Sequence, residues 1–583
     1  MKKFVLIDHS LRDLGGHYYT YACCVLPAAE RAGFKAVLAT HRDFRESAAL
    51  PDSWTAHAVY RRKSYAGHAT ITPAATRGLR TLFGGLLGAM RRWRDMRIAQ
   101  SFAADCGKLF GCVKLTDGDQ VFIATATELD LYGLGLYLRS SRRCPAVTWH
   151  LQFHVGLFDG RDPDYGPQVA SKVRLREFFL EALRLAQGHK VHLYCTTEQL
   201  TEQYRLLGVA PFDTLTYPVH PLFQKRDEDG ACDAQVRIAC LGHNRKEKGY
   251  RLLPNIIRNI WCDYLRAGQA QILLQTARRD LRRALDDLVA QLGTTAADAV
   301  EPIAYAAFPL TLDRYAALVR SAGIGLLLYD GAQYYARCSG VLIEMLSAGV
   351  PVIVPAGCWL AEQICEENQR YIEELVSAST DCSVVECNRV DWQPSDSVVM
   401  QSNGSAPSPA LALRAGAAVV SQFDTFIDCA SLVVRFRWSQ PLDGIYVRIV
   451  AEQLDDRGYA LGEFENIVAH RRTDGAIHAM FRLQSNARRI RVRLANAWNE
   501  SEIRIDSLEF LLLRGEQRPL GSVGLTAANV EQSGELLREI LRYYKHYRRS
   551  ASQFAAQCAQ LHDASRIVAQ LSRSSATVQE SIP

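Results

Sequence analysis

The chain has 583 residues, enough at roughly 100 to 200 residues per domain for about three or four domains. Its composition, 48% hydrophobic and 22% charged, is that of a soluble globular protein, and no apolar stretch approaches the roughly 20 residues of a spanning helix, which excludes transmembrane and disordered classes. The formal net charge of +6 is modest for this length, and no nucleic-acid partner is expected.

The first residues, two lysines and then Phe4-Val5-Leu6-Ile7 before Asp8, carry too short an apolar run for a signal peptide, so a cytoplasmic protein is expected. Sixteen cysteines are scattered through strand-like and helix-like runs and no Cys-x-x-Cys occurs, which points to free thiols rather than zinc ligands or disulfides. From the start to about residue 355, short apolar or β-branched runs alternate with helix-length segments, the pattern of parallel sheets with crossover helices. The predicted strands of a first series are 4–8, 36–40, 121–125, 146–150, 191–195 and 214–217. Between residues 61 and 97 nine Arg or Lys stand against one acid, Asp95, so that this segment is net +8 and the rest of the chain net −2. With Leu82-Phe83-Gly84-Gly85-Leu86-Leu87 as its apolar part, 61–97 reads either as a peripheral contact with the anionic inner face of a membrane or as a solvated helical face.

Pro218-Val219-His220-Pro221 and the polar residues 224–233 interrupt the pattern as an interdomain linker would. A second series of strands is predicted at 236–241, 271–275, 324–328 and 350–354. The expected architecture is α/β: two Rossmann-like doubly wound domains, 1–222 and 233–395 plus 521–583, facing a cleft. After the loop composition of 402–409 come alternating strands without helices, such as Leu432, Val434, Phe436 and Trp438 on one face. We read 396–520 as an inserted β-sandwich serving acceptor binding or assembly. Helical periodicity returns after Gly521, with Leu537, Leu541, Tyr544 and Tyr547 on one stripe.

Three stretches carry candidate chemistry. Gly15 and Gly16 follow the first strand and open a helical pattern, where bare amides favour an anion, although a plain strand-to-helix turn explains them equally. The loop after the strand at 236–241 puts Arg245, Lys246 and Lys248 at a strand's carboxyl edge, where a diphosphate needs cationic donors worth roughly 1.5 to 3 kcal/mol each. A solvated basic turn is the plain alternative. Ser339 is a good N-cap, leaving the amides of Gly340, Val341 and Leu342 for phosphate. Glu344, one turn in and on the same face, can accept hydrogen bonds from vicinal hydroxyls; its alternative is the exposed side of an ordinary capped helix. Asp117, Asp119, Asp162 and Asp164 read as turn residues.

The succession Gly-Gly-His, His150 ending a strand, Thr196-Thr197-Glu198-Gln199-Leu200, Arg-x-x-Lys-Gly, and Ser-Gly-x-x-x-Glu followed by Ala348-Gly349-Val350-Pro351 resembles the GT-B retaining glycosyltransferases, the family 4-like glycosyl transferases of group 1. The resemblance covers roughly 1–395 and 521–583. It implies a hexosyltransferase that moves a sugar from a nucleotide-sugar donor to a saccharide or lipid-linked acceptor in polysaccharide synthesis, without metal or other cofactor. It implies Arg245 and Lys248 on the donor diphosphate, Glu344 on the ribose, His150 beside the donor sugar with His154 a lesser neighbour, and a Gly15–Gly16 loop closing over the phosphates. Two positions depart from the pattern: Ala336 stands where a first motif acid is expected, and His243 where an arginine is usual. Tyr335 or Arg337 would then meet the donor sugar. A non-catalytic saccharide-binding homologue acting through the sandwich, and a nucleotide-sugar epimerase, are the alternatives.

Overall fold

The structure, a computed structural model, describes the chain apart from residues 46–48, 65–79, 142–144, 162–163, 225–234, 294–300, 387–388, 396–397, 402–409, 427, 439–444, 471–475, 497–501 and 577–583. Residues 225–233 of the expected linker, the loop 402–409 and much of the basic segment therefore lie outside the described residues. Seven parallel strands build a first sheet: β1 (Lys3–Asp8), β2 (Lys35–His41), β3 (Thr55–Tyr60), β4 (Gln120–Ala126), β5 (Thr148–Phe153), β6 (Lys190–Cys195) and β7 (Asp213–Thr214), in the order β3-β2-β1-β4-β5-β6-β7. Phe4 and Leu6 belong to one core, Val5 and Ile7 to another. Burial on both faces is why these strands read as unbroken apolar runs.

A second parallel sheet takes β8 (Val236–Cys240), β9 (Ala270–Gln275), β10 (Ile303–Ala306), β11 (Ile324–Leu326) and β12 (Val352–Pro355), in the order β10-β9-β8-β11-β12, and is completed by β25 (Gly524–Ala527) from far along the chain. β25 pairs with β12 in parallel, Val352 opposite Gly524. An added Cβ at Gly524 would stand 2.3 Å from the Val352 carbonyl oxygen, so the returning strand needs glycine there. Between β12 and β25 the chain forms strands β13 (Cys382–Val384) to β24 (Ser507–Arg514) in antiparallel sheets of four, five and three strands. The first two of these precede residue 396.

After β25 the predicted single stripe is three helices, Val530–Arg542, Tyr544–Leu561 and Ala564–Ala576, broken at Tyr543 and His562. The last one packs Ile567, Val568 and Leu571 into the first sheet's core, and His562 Nδ1 meets the Tyr217 carbonyl at 2.7 Å. The chain's end thus ties the two sheets together. No helix among the described residues is long and apolar enough to cross a membrane.

Candidate functional site at the carboxyl edge of the second sheet

In each parallel sheet the strand order reverses direction beside the first strand, between β1 and β4 and between β8 and β11. Loops leaving adjacent strands on opposite faces at such a point open a crevice, the usual ligand position in open α/β sheets. The loop after β8 holds Arg245 and Lys248, and the segment after β11 leads to Ser339. The two candidate stretches of the second sheet therefore meet at its crevice.

The loop after β8 owes its shape to two glycines. Gly242 has φ +92, and a Cβ there would stand 2.5 Å from Lys248 Nζ and 3.2 Å from Val341 Cγ2. Gly249 has φ +69, and its Cβ would stand 1.9 Å from the Leu328 carbonyl oxygen. Only glycine allows that conformation and that approach. The consequence is that Lys248 folds back over the strand end, beside the first turn of the helix Gly340–Ser347. Gly249→Ala is expected to leave little folded protein, read as loss of soluble yield and of the cooperative melt.

Lys248 is buried, with Nζ 3.5 Å from the Leu241 carbonyl and 4.9 Å from the centre of the Tyr329 ring. Burial, helped by the nearby Arg245, pushes its ammonium down to about 8, against the pull of Tyr334, Glu344 and Glu247. Arg245 is about half exposed; its Nη2 donates to the Tyr334 hydroxyl at 3.0 Å and its Nε lies 3.3 Å from Glu247. A buried cation that keeps most of its charge at neutral pH is costly to hold, and an incoming anion relieves that cost.

Ser339 caps the helix Gly340–Ser347, its hydroxyl accepting from the Leu342 amide at 3.3 Å. The amides of the first turn have no acceptor within a helix, which leaves those of Gly340 and Val341 available to a ligand. Glu344 is buried rather than exposed, and accepts a hydrogen bond from the Tyr315 hydroxyl at 2.9 Å. Burial pushes its carboxyl up to about 7, opposed by that hydrogen bond and by Lys248. Tyr217, from the segment after the first sheet, lies over Gly340: a Cβ there would be 3.0 Å from its ring, and its hydroxyl is buried without a hydrogen-bond partner among the described residues.

On the first sheet's side, the Gly15 amide donates to Asp13 at 2.9 Å and Gly15 pairs in an isolated bridge with Thr311 of the second sheet's unit. Gly16 starts the helix Gly16–Arg31 and carries His17 to the cleft. His17 keeps an outer face in solvent, yet the cleft walls and then His154, Arg245 and Lys248 hold it below the usual histidine range. His154 follows β5, its Nε2 2.6 Å from the Ala124 carbonyl. The crevice thus gathers Arg245, Lys248, His17 and His154.

His150 is not among them. It stands three residues short of the end of β5, wholly buried, with Nδ1 3.2 Å from the Tyr194 hydroxyl and its ring stacked on His192. The strand runs on to Phe153, so the residue at the cleft is His154. Tyr335 and Ala336 are also displaced from the expected site. Both are buried with the first sheet's core, and the Ala336 carbonyl accepts from Thr197 Oγ1 at 2.6 Å. Where the resemblance implies an acid beside the donor sugar, this chain has a sealed contact between its two halves. Asp117 and Asp119 serve turns, accepting from the Ala146 and Lys3 amides at 2.7 Å each.

Comparison with known proteins adds little to this geometry. No protein-family model matches the chain, and no curated protein matches it. Among solved structures it is similar to a trehalose-6-phosphate synthase, OtsA, at 12% identity over 62% of this chain and 86% of that one, with a TM-score of 0.43. The N-terminal domain of Candida albicans trehalose-6-phosphate phosphatase gives 10% identity over 63% and 85%, TM-score 0.42. A UDP-forming trehalose-phosphate synthase from Burkholderia xenovorans, in complex with glucose-6-phosphate, gives 13% over 63% and 88%, TM-score 0.41. Likenesses of that degree decide nothing about this chain's chemistry.

Proposed function

We propose that the chain is a GT-B glycosyltransferase, built of a first unit, 1–222, and a second, 233–378 plus 524–583, with the antiparallel strands β13 to β24 between as a β-sandwich module, that moves a sugar from a nucleoside-diphosphate donor to a saccharide or lipid-linked acceptor. The single observation that carries the reading is the meeting of Lys248, Arg245 and the first turn of Gly340–Ser347 at one crevice, with Glu344 one turn deeper. A diphosphate leaving group gathers negative charge as its bond to the sugar breaks, and preoriented cations and amides stabilise that charge without reorganising. Glu344, when ionised, accepts from ribose hydroxyls. In a retaining transfer the acceptor hydroxyl enters on the face the diphosphate leaves, and a phosphate oxygen takes its proton.

The test is a panel of nucleotide sugars screened for thermal stabilisation and for release of nucleoside diphosphate. A ligand at a hundred times its dissociation constant adds roughly 2.7 kcal/mol. Stabilisation with product release supports the transferase. Stabilisation without release under any acceptor supports the second reading, a non-catalytic binding protein, which the sealed Thr197–Ala336 contact favours. No stabilisation by any member counts against both.

A peripheral membrane contact belongs to the same reading. At the described part of the basic helix Arg80–Val113, Trp93 is 63% and Met90 61% exposed, Arg92, Arg94 and Arg97 are exposed, and the Arg97 guanidinium lies 4.5 Å over the Trp93 ring. The side chains of 82–87 lie outside the described residues. At roughly 1 kcal/mol per charge near anionic lipid, Arg92→Gln with Arg94→Gln is expected to weaken binding to phosphatidylserine vesicles about 30-fold, and Trp93→Ser to weaken it further. Co-sedimentation at low and high salt measures both, and equal binding by all forms would remove the contact.

A further inference from the structure

A cavity of about 630 Å³ opens away from the crevice, between the antiparallel strands β20 (Ala460–His470) and β21 (Ile477–Arg482) and the helices Trp359–Ala378 and Val530–Arg542. Its volume is that of a small-molecule pocket, roughly 300 to 1,000 Å³. Ile372, Phe464, Met480 and Leu536 supply apolar wall. The period of two along β21 explains its far side: Ile477, Ala479 and Phe481 join the antiparallel core, while His478 and Met480 alternate with them and meet the helix Trp359–Ala378.

Several polar groups in the wall are committed to holding the protein together. Gln369 clamps the His478 backbone, donating to its carbonyl at 2.8 Å and accepting from its amide at 2.7 Å. Gln532 donates to the Glu465 carbonyl at 2.7 Å, Asn368 to the Gly524 carbonyl at 2.9 Å, and Arg482 is paired with Glu539. A saccharide, with a hydroxyl on nearly every carbon, would find these partners already engaged, and its desolvated hydroxyls would be costly. One group is different. The His478 side chain is 3% exposed, and its Nδ1 has no hydrogen-bond partner among the described residues. Burial first, and then Arg435 and Arg437, push the ring down to about 4, so it is a neutral imidazole with an unspent nitrogen.

We propose that this cavity binds an uncharged aliphatic molecule with a single hydrogen-bonding head group, its chain against Ile372, Phe464, Met480 and Leu536 and its head at His478 Nδ1. An apolar body fits the wall made by those four side chains, and one hydroxyl or carbonyl satisfies the buried His478 nitrogen, which lacks a partner among the described residues. The site is separate from the proposed donor crevice, so its occupancy does not depend on whether the chain transfers sugar.

The experiment uses the full chain and the neutral fluorophore N-phenyl-1-naphthylamine, with 1-decanol and maltose as competitors. The expected result is saturable fluorescence that 1-decanol displaces and maltose does not. Leu536→Trp and, separately, Ile372→Phe fill the cavity and are expected to abolish the signal while the melting transition stays cooperative. Two filling variants are used so that one misfolded protein leaves the result readable. His478→Phe is expected to keep fluorophore binding but to weaken competition by 1-decanol about tenfold, the loss of one hydrogen bond. Absence of saturable uptake, equal uptake by a folded filled variant, or displacement by maltose would overturn the proposal, and unaltered decanol competition in His478→Phe would overturn the place of the head group.

Discussion

Lys248→Met is expected to lower the rate of nucleoside diphosphate release roughly 100- to 1000-fold, the usual loss when a preorganised donor is removed from a developing anion. Arg245→Ala should fall toward the lower end of that range, because its guanidinium is half exposed and already shared with Tyr334 and Glu247. A rate loss alone would not separate chemistry from damage to the fold. The protonation of Lys248 does. Its folded value near 8 lies below the ordinary 10.5, so the native state binds that proton more weakly than the unfolded chain. Stability is therefore held back below about pH 8 and recovered as the pH rises toward 10.5. Methionine keeps most of the side chain's volume without the charge. The variant should melt no lower than the parent at pH 7, and the difference between them should close by about pH 10. A variant that lost both turnover and stability at pH 7 would show a lysine needed for packing rather than for an anion.

Much of the fold was legible because a strand buried on both faces must be apolar throughout. That is why 4–8, 121–125 and 271–275 stood out. The strands that escaped are weaker in that respect. β3 and β10 are edges in which alanine takes every second place, Thr55-Ala56-His57-Ala58 and Ile303-Ala304-Tyr305-Ala306. β25 is four residues long and recognisable only through its pairing with β12 across the antiparallel segment. The second sheet's site was legible for a related reason: glycines at 242 and 249 and the cap at Ser339 are local requirements of turns and helix starts, written where they act.

What could not be read locally was the other half of the cleft. Continuous burial gives no period from which to find a strand's end, so His150 and His154 are indistinguishable until β5 is seen to run to Phe153. The partners of Glu344 and Ala336 are equally remote, since Tyr315 lies 29 residues away and Thr197 lies 139. The loop 334–337 reads as cleft wall only while the opposing half of the molecule is out of view. Burial of Lys248 and Glu344 also bears on stability. Variants of two solvent-facing residues would leave the unliganded melt unchanged, whereas variants of these buried ones should not.

Glu344→Gln is expected to weaken nucleoside diphosphate binding about 10- to 100-fold at pH 8, the loss of a hydrogen bond to a charged acceptor, with a smaller effect on the rate at saturating donor. The effect should shrink at pH 5.5. There the parent carboxyl, raised to about 7, is already protonated, so the two proteins present nearly the same neutral acceptor. The stability change has a sign of its own. An acid whose folded value lies above the ordinary 4.5 favours the folded state while protonated, and that contribution is fully present below about pH 4.5 and lost as the pH rises through 7. Glutamine never ionises and still accepts from Tyr315. The unliganded variant should therefore match the parent near pH 5 and melt higher at pH 8, by roughly 2 to 4 °C for each kcal/mol relieved. Isothermal titration with nucleoside diphosphate and melting curves at both pH values measure the two effects on the same samples. If the affinity ratio were the same at pH 5.5 and pH 8, the ligand would not be reading the carboxylate, and the place of the ribose at Glu344 would have to be given up.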